Sequence, residues 1–448
     1  MSARRVAFEV LRAVNESDAY ANLLLPTSIA RAGLNEQDAA LATELAYGTL
    51  RRQGTYDAII AAAANRDTSE IDPVVLDALR LGAHQILSTR IASHAAVHET
   101  VEIVRHSAGN SATGFTNAVL RRIARETPGE WLERVERAAR SDDERLGLST
   151  SHPVWILRAF RRALAAEGRG DELTDLLHAD NVSPRVTLAV LPGLGERPAD
   201  LAPTPYSPIG ARSGGGDPHD EVAGGRIRVQ DEGSQLAALA LSRAEPVRPG
   251  ERWLDLCAGP GGKTALLAAE ALAHGATLEA NELVPARAGL VRRALEGVPL
   301  PVEVSEEDGR DRAGHGEYDR ILVDAPCTGL GALRRRPEAR WRKQPADVPQ
   351  LTALQGDLVR AGLEGLKPGG ILAYVTCSPH LAETAGVLAD VRREWGDRIE
   401  ELDARAVLQS ISRTPLDLPA PADGSGRAQL WPHRHGTDAM FISLLRRR

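Results

Sequence analysis

The stretch Trp253-Leu-Asp-Leu-Cys-Ala-Gly-Pro-Gly-Gly-Lys-Thr-Ala-Leu-Leu267 limits the possible folds more than any other part of the chain. An apolar run suited to a buried parallel strand breaks into a Gly/Pro turn, and apolar residues then resume at helical spacing. Gly259, Gly261 and Gly262 let the backbone turn sharply and meet a ligand with no Cβ in the way. A helix starting near Lys263 would aim its free N–H groups at that ligand. Doubly wound α/β domains hold nucleotide-like cofactors in this manner, at the carboxyl end of the first strand.

Spacing separates the cofactor classes. A phosphate-binding P-loop needs glycine where Cys257 stands, and the third glycine of a dinucleotide fingerprint would fall on Thr264. S-adenosyl-L-methionine needs no phosphate cradle, only a tight turn and a carboxylate further on for its ribose hydroxyls. Residues 277–281 read as the second strand, and Glu282 follows them, at the about 20 residues that ribose recognition requires. Such a turn alone could join any strand to any helix, so the later motifs decide.

From 251 onward strand and helix alternate, which predicts a parallel sheet. Further strands are expected at 302–305, 320–323, 371–375 and 439–444. Asp255, Glu282, Asp308, Asp324, Cys327 and Cys377 then all fall at or just past strand ends, where open α/β sheets bind ligands. Carboxylates after the second and third strands suit ribose hydroxyls and an adenine amino group. Any one of them could instead be a plain salt-bridge partner.

The chain has three cysteines, Cys257, Cys327 and Cys377, too few for a disulfide framework or a four-cysteine zinc site. Two thiols past adjacent strand ends suggest covalent chemistry. Carbon 5 of a cytosine becomes nucleophilic only after something adds at carbon 6, which a thiolate can do. Asp324, protonated through burial, is placed to relieve charge at ring nitrogen 3. The base would have to be presented unstacked. Beside this site, Arg334-Arg-Arg-Pro-Glu-Ala-Arg-Trp-Arg-Lys343 suits phosphate contacts and stacking on a base, or else a solvated charged loop.

At 448 residues the chain should hold two or three domains. Residues 1 to about 130 read as helix throughout, with apolar residues at 3- and 4-residue spacing and proline opening a helix at Asp72-Pro73. His94 and His98 stand four apart without an evident third ligand and read as surface or core histidines. More helices are expected over 131–180, a small connecting segment with strands at 185–190 and 226–229, and a breaker cluster at 213–218. The net charge of −7 argues against indiscriminate nucleic-acid binding. With no secretory signal and no membrane-length apolar run, a cytoplasmic protein is expected.

The N-terminal wording, Ala-Phe-Glu-Val-Leu near the start, Glu44-Leu-Ala-Tyr-Gly48 and Phe115-Thr-Asn-Ala-Val-Leu-Arg121, resembles the NusB-like RNA-binding domain. The C-terminal half carries Asp-Leu-Cys-Ala-Gly-Pro-Gly-Gly-Lys-Thr, Asp-Ala-Pro-Cys-Thr-Gly with its Pro-Glu-Ala-Arg-Trp sequel, Thr-Cys-Ser, and Pro432-His-Arg-His-Gly-Thr-Asp438. Together these resemble the RNA cytosine-5 methyltransferases of the NOP2/NSUN/RsmB family. The resemblance implies an all-α NusB-like domain (1–135), a connecting subdomain (136–228) and a Rossmann-like class I S-adenosyl-L-methionine-dependent methyltransferase domain (229–448). It implies Cys377 as nucleophile and Cys327 as the thiol assisting product release, with Asp324 beside them. Cofactor contacts would come from Cys257, Ala258, Gly259, Pro260, Gly261, Gly262, Lys263, Glu282, Asp308 and Asp324, with no metal. The implied partner is RNA, from the small ribosomal subunit, bound by a monomer with no membrane association.

Departures from the family wording are Gly259 for alanine, Ala439-Met440 for Gly-Phe, and Pro379-His-Leu-Ala-Glu383 where a Pro-Glu-Asn segment is usual. Two other readings remain open. A DNA cytosine methyltransferase would use the Pro-Cys cysteine as its nucleophile, and a NusB-like RNA-binding protein could carry a non-catalytic methyltransferase-like domain.

Overall fold

The computed structural model describes residues 1–17, 19–214, 222 and 224–448. These form two compact units, and the division does not follow the chain.

The first unit comprises Met1–Arg158 with Asp180–Val182 and Leu333–Arg342. It is helical: α1 (Ala3–Ser17), α2 (Ala21–Ala32), α3 (Glu36–Arg51), α4 (Gln53–Ala64), α5 (Pro73–Ser88), α6 (Ser93–Ser107), α7 (Thr113–Ile123), α8 (Pro128–Arg137) and α9 (Asp142–Thr150). The helix start expected at Asp72-Pro73 is present, and the structure adds a second at Thr127. Asp72 accepts from the N–H groups of Val74 and Val75 ahead of Pro73, and Thr127 and Glu130 form a reciprocal capping box. The buried stripe of α1, Val6, Ala7, Val10, Leu11 and Val14, joins the core of this unit. Helices α2 and α4 escape a periodicity reading, because α2 contains Pro26 and α4 is mostly alanine. His94 and His98 are exposed, and among the described residues no group of three or more His, Cys, Asp or Glu could hold a metal.

Part of the arginine-rich segment is built into the fold, while Arg336 stays exposed. Residues Leu333–Arg342 belong to the helical unit, and Arg340 is fully buried in it. Its Nη1 donates to the Arg51 carbonyl (2.7 Å), the Ser151 carbonyl (3.3 Å) and Asn181 Oδ1 (2.8 Å), while Nη2 donates to the Asp180 carbonyl (2.8 Å). Arg342 donates to the Val14 carbonyl at 2.7 Å. Trp341 lies over Gly54, where a Cβ would collide with its ring. For Arg340 and Arg342 backbone carbonyls are the acceptors, and burial pulls Arg340 down to about 10. The segment is an internal strap.

The second unit comprises Ala159–Ala179, Ser183–Ala332 and Lys343–Arg448. The short strands β1 (Thr187–Val190), β2 (Gly210–Arg212) and β3 (Ile227–Val229) make an antiparallel sheet in the order β2-β1-β3. The breaker cluster at 213–218 lies outside the described residues from 215 onward. The large sheet runs β6 (Glu303–Ser305), β5 (Thr277–Asn281), β4 (Arg252–Asp255), β7 (Tyr318–Asp324), β8 (Leu366–Thr376), β11 (Phe441–Arg447) and β10 (Ala428–Gln429), with β9 (Ile399–Leu402) also on β11. Its β4–β8 part is parallel, as the alternation predicts. The β9, β10 and β11 pairings are antiparallel, making the sheet mixed. Only one turn of helix, Pro432–His435, separates β10 from β11, too little for a crossover. Strand β8 starts at Leu366, earlier than expected, and takes in Lys367-Pro-Gly-Gly370 through a register shift against β7.

Helices cover both sheet faces. Leu322 of β7 and Ala373 and Val375 of β8 point into the core shared with Glu232–Ser242 and Gly262–His274. Their neighbours Ile321, Val323, Leu372 and Tyr374 point into the core shared with Val348–Gly365 and Ala385–Trp395. Alternation by two thus fills two opposite layers. Among the described residues, no helix is long and apolar enough to cross a membrane.

Arg340→Ala strips a donor from several buried acceptors at once. It should destabilise the helical unit by about 3 kcal/mol in urea unfolding.

Candidate active site

Strand β4 ends at Asp255, and the chain turns through Cys257–Gly261 into the helix Gly262–His274. Gly261 takes φ +104°, and a Cβ there would sit 2.5 Å from the Ala294 Cβ, so only glycine fits. At Gly259 a Cβ would collide with the Glu282 carboxylate. Its absence lets Glu282 reach back over the turn and accept from the Gly259 N–H at 3.1 Å and the Val284 N–H at 3.0 Å. Arg287 lies 3.4 Å from the same carboxylate. Asp308, past β6, caps a short helix and pairs with Arg310, which draws its carboxyl down to about 2.

Asp255 is almost wholly buried, accepts from the Thr264 hydroxyl at 2.7 Å, and leaves Oδ1 without a hydrogen-bond partner. Burial pushes its carboxyl up to about 7. Lys263, one residue into the helix, donates to Asp324 at 2.8 Å. Burial pulls the Lys263 ammonium down, but the Asp324 charge and hydrogen bond, with Cys377 and Asp255, leave it raised. Asp324 is thus an ion-pair partner, with its side chain still 25% exposed, rather than an isolated buried acid.

The three thiols differ. Cys257 is held well above its ordinary value by burial and by the charges of Asp255, Asp324 and Glu282, so it stays a thiol. Cys327 and Cys377 come together with their sulfurs 3.4 Å apart. The hydrogen bond with Cys377, then burial, then the charges of Cys377 and Glu383, raise the Cys327 thiol. All the expected site residues except Asp308 thus cluster through direct contacts or chain adjacency, and Asp308 stands at the next strand end, turned onto Arg310.

Residues that the sequence reading passed over hold this arrangement. Gly331 donates to the Cys377 carbonyl at 2.8 Å and accepts from the Ala439 N–H at 2.8 Å, and a Cβ there would collide with the Ala439 carbonyl. Thr328, Gln355, Ser378 and Glu383 form a buried polar knot behind the two cysteines. Thr328 and Ser378 stand beside the two cysteines in the Pro-Cys-Thr and Thr-Cys-Ser motifs, and Glu383 is the one carboxylate in the Pro379–Glu383 departure.

Residues 244–446 match the family described as 16S rRNA methyltransferase RsmB/F, and residues 1–125 match the NusB family. Ribosomal RNA small subunit methyltransferase B of Pseudomonas putida is 34% identical over 426 residues, covering 91% of this chain and 93% of that protein. The chain belongs to the RsmB/F family of methyltransferases. A Mycobacterium tuberculosis protein named as a methyltransferase is 49% identical over 456 residues, covering 99% of this chain and 96% of the relative. The crystal structure of PH0851 shares the fold, with a TM-score of 0.82 at 22% identity over 99% of this chain and 98% of that one.

RsmB/F proteins are S-adenosyl-L-methionine-dependent enzymes, and the turn fits that cofactor. Four carboxylates, Asp255, Glu282, Asp308 and Asp324, border the strand ends, and Lys263 is already committed to Asp324. Such a surface suits vicinal hydroxyls, an amino group and a positively charged sulfonium, and it opposes polyphosphate.

Burial raises Asp255 from 3.8 to about 7, so the folded chain keeps a proton that the unfolded chain releases across that window. Stability therefore falls as pH rises through it, and Asp255→Asn removes that loss. Denaturant unfolding should show the variant gaining on the wild type by up to about 4 kcal/mol between about pH 4 and about pH 8.

Proposed function

We propose that this RsmB/F methyltransferase modifies carbon 5 of a cytosine in 16S rRNA through a covalent adduct on Cys377. The observation that carries the reading is the pair of sulfurs 3.4 Å apart, beside the Lys263–Asp324 ion pair. Two thiols in contact at the ends of neighbouring strands suit a nucleophile and a second group acting on the same ring.

The Cys377 thiolate adds to carbon 6, forming an S–C6 bond and shifting the ring electrons to carbon 5. Lys263 Nζ lies 2.8 Å from Asp324 Oδ2, and a proton passed from Lys263 through Asp324 to ring nitrogen 3 neutralises the charge that forms there. S-adenosyl-L-methionine supplies the methyl group. The proton on carbon 5 then leaves to a base, the S–C6 bond breaks, and Cys377 departs as thiolate. Cys327, held as a thiol beside Cys377, assists that release. The turn Cys257–Lys263, with Ala258 and Pro260 contributing backbone, holds the cofactor together with Glu282 and Asp308. Residues 1–135 position the RNA, 136–228 connect, and 229–448 carry the chemistry.

Nucleoside mass spectrometry of methylated rRNA should show 5-methylcytidine, and any other product overturns the reading. Cys377→Ala should give neither product nor adduct. Cys327→Ala should still attack and transfer but release slowly, leaving a protein–RNA adduct on denaturing gels. An adduct in Cys377→Ala, and none in Cys327→Ala, reverses the two roles. Glu282→Ala and Asp308→Ala should each weaken cofactor binding about tenfold or more by titration, because each removes a charged hydrogen-bond acceptor.

A further inference from the structure

The two cysteines sit on different loops, one after β7 and one after β8, and nothing covalent joins them. What joins them is Glu383, a residue with no exposed surface. Its Oε1 accepts from the Thr328 N–H at 2.8 Å and from Gln355 Nε2 at 3.1 Å. Its Oε2 accepts from the Thr328 hydroxyl at 2.5 Å and the Ser378 hydroxyl at 2.7 Å. Thr328 follows Cys327 and Ser378 follows Cys377. One carboxylate therefore grips the residue next to each sulfur, and the two hydroxyls also meet each other at 3.0 Å. Gln355 anchors the knot to the helix Val348–Gly365 and donates to the Pro326 carbonyl at 2.7 Å, beside Cys327.

We propose that Glu383 is the positioning residue that ties the Pro-Cys and Thr-Cys loops into one rigid unit and sets the distance between the two sulfurs. The proposal rests on the two-thiol reading above and adds a residue to it. A fully buried carboxylate is costly to desolvate, and here four donors from three residues stabilise it. Its negative charge also opposes ionisation of Cys327. Glutamine at this position keeps one acceptor oxygen for the Thr328 and Gln355 N–H groups, and the hydroxyls can turn to accept from its amide. Alanine strips the Thr328 N–H of its acceptor and leaves the two hydroxyls only each other, while Gln355 keeps just the Pro326 carbonyl.

Full-length wild type, Glu383→Gln, Glu383→Ala and Ser378→Ala are compared by two independent readouts. The first reads geometry without RNA: hydrogen peroxide takes two electrons and two protons from the thiol pair, giving one disulfide and two waters. The wild type should lose two of its three titratable thiols quickly. Glu383→Ala should be at least about tenfold slower, with Glu383→Gln in between. The second readout is rRNA methylation, where kcat should fall about tenfold in Glu383→Gln and about a hundredfold in Glu383→Ala, with KM for RNA and cofactor affinity unchanged. Partial rescue by glutamine in both readouts supports positioning. Equal crosslinking rates in all four proteins overturn it, whatever the methylation shows. If the wild type makes no 5-methylcytidine, the cytosine reading fails while the crosslinking still decides the role of Glu383. If Glu383→Ala does not fold, slowed crosslinking in Glu383→Gln and Ser378→Ala supports the proposal, and undiminished rates in both overturn it.

Discussion

The parallel register between β7 and β8 is the constraint on which the site depends. Asp324 pairs with Val375, so the loops leaving these strands start level with each other. Cys327 and Cys377 follow within a few residues of that pair and meet. A slip of β8 by one residue would turn all its side chains over, sending Ala373 and Val375 into the wrong core layer as well as parting the sulfurs. Packing on both faces of the sheet therefore specifies the chemistry at its end.

Around that pair, charge is arranged so that neighbours differ. All three thiols follow strand ends, yet carboxylates surround Cys257, Glu383 faces Cys327, and the Lys263 ammonium senses Cys377. Lys263 also occupies the position that in a P-loop would meet a phosphate, and its commitment to Asp324 changes what the same kind of turn can hold. Glycine at 259 adds to this, because Glu282 can fold back onto the turn only where no Cβ intervenes.

Local patterning made the strands β4, β5 and β7, the helix caps and the strand-end carboxylates legible in the sequence. Each is specified by residues close to one another in the chain. The strap, the knot and the antiparallel edge were not legible, because each depends on partners far apart. Arg340 meets the Arg51 carbonyl, and Gln355 meets Pro326 and Glu383. Composition says least at the strap: six cations with a tryptophan suit a nucleic-acid surface, but backbone carbonyls satisfy a guanidinium such as that of Arg340 as readily as phosphate oxygens do. Such acceptors leave no mark in a sequence.

The strap has a consequence for how the molecule is made. The helical unit takes in residues 333–342, and Arg340 is among its most deeply buried side chains. As the nascent chain leaves the ribosome, residues 1–158 emerge long before the segment that completes them. The unit must wait, partly assembled and with the Arg51, Ser151 and Asp180 carbonyls open to water, while the strands β4 to β7 are synthesised. A gene segment that stops before the strap encodes an unfinished body. The chain passes between the two units five times, so no single cut separates one whole unit from the other.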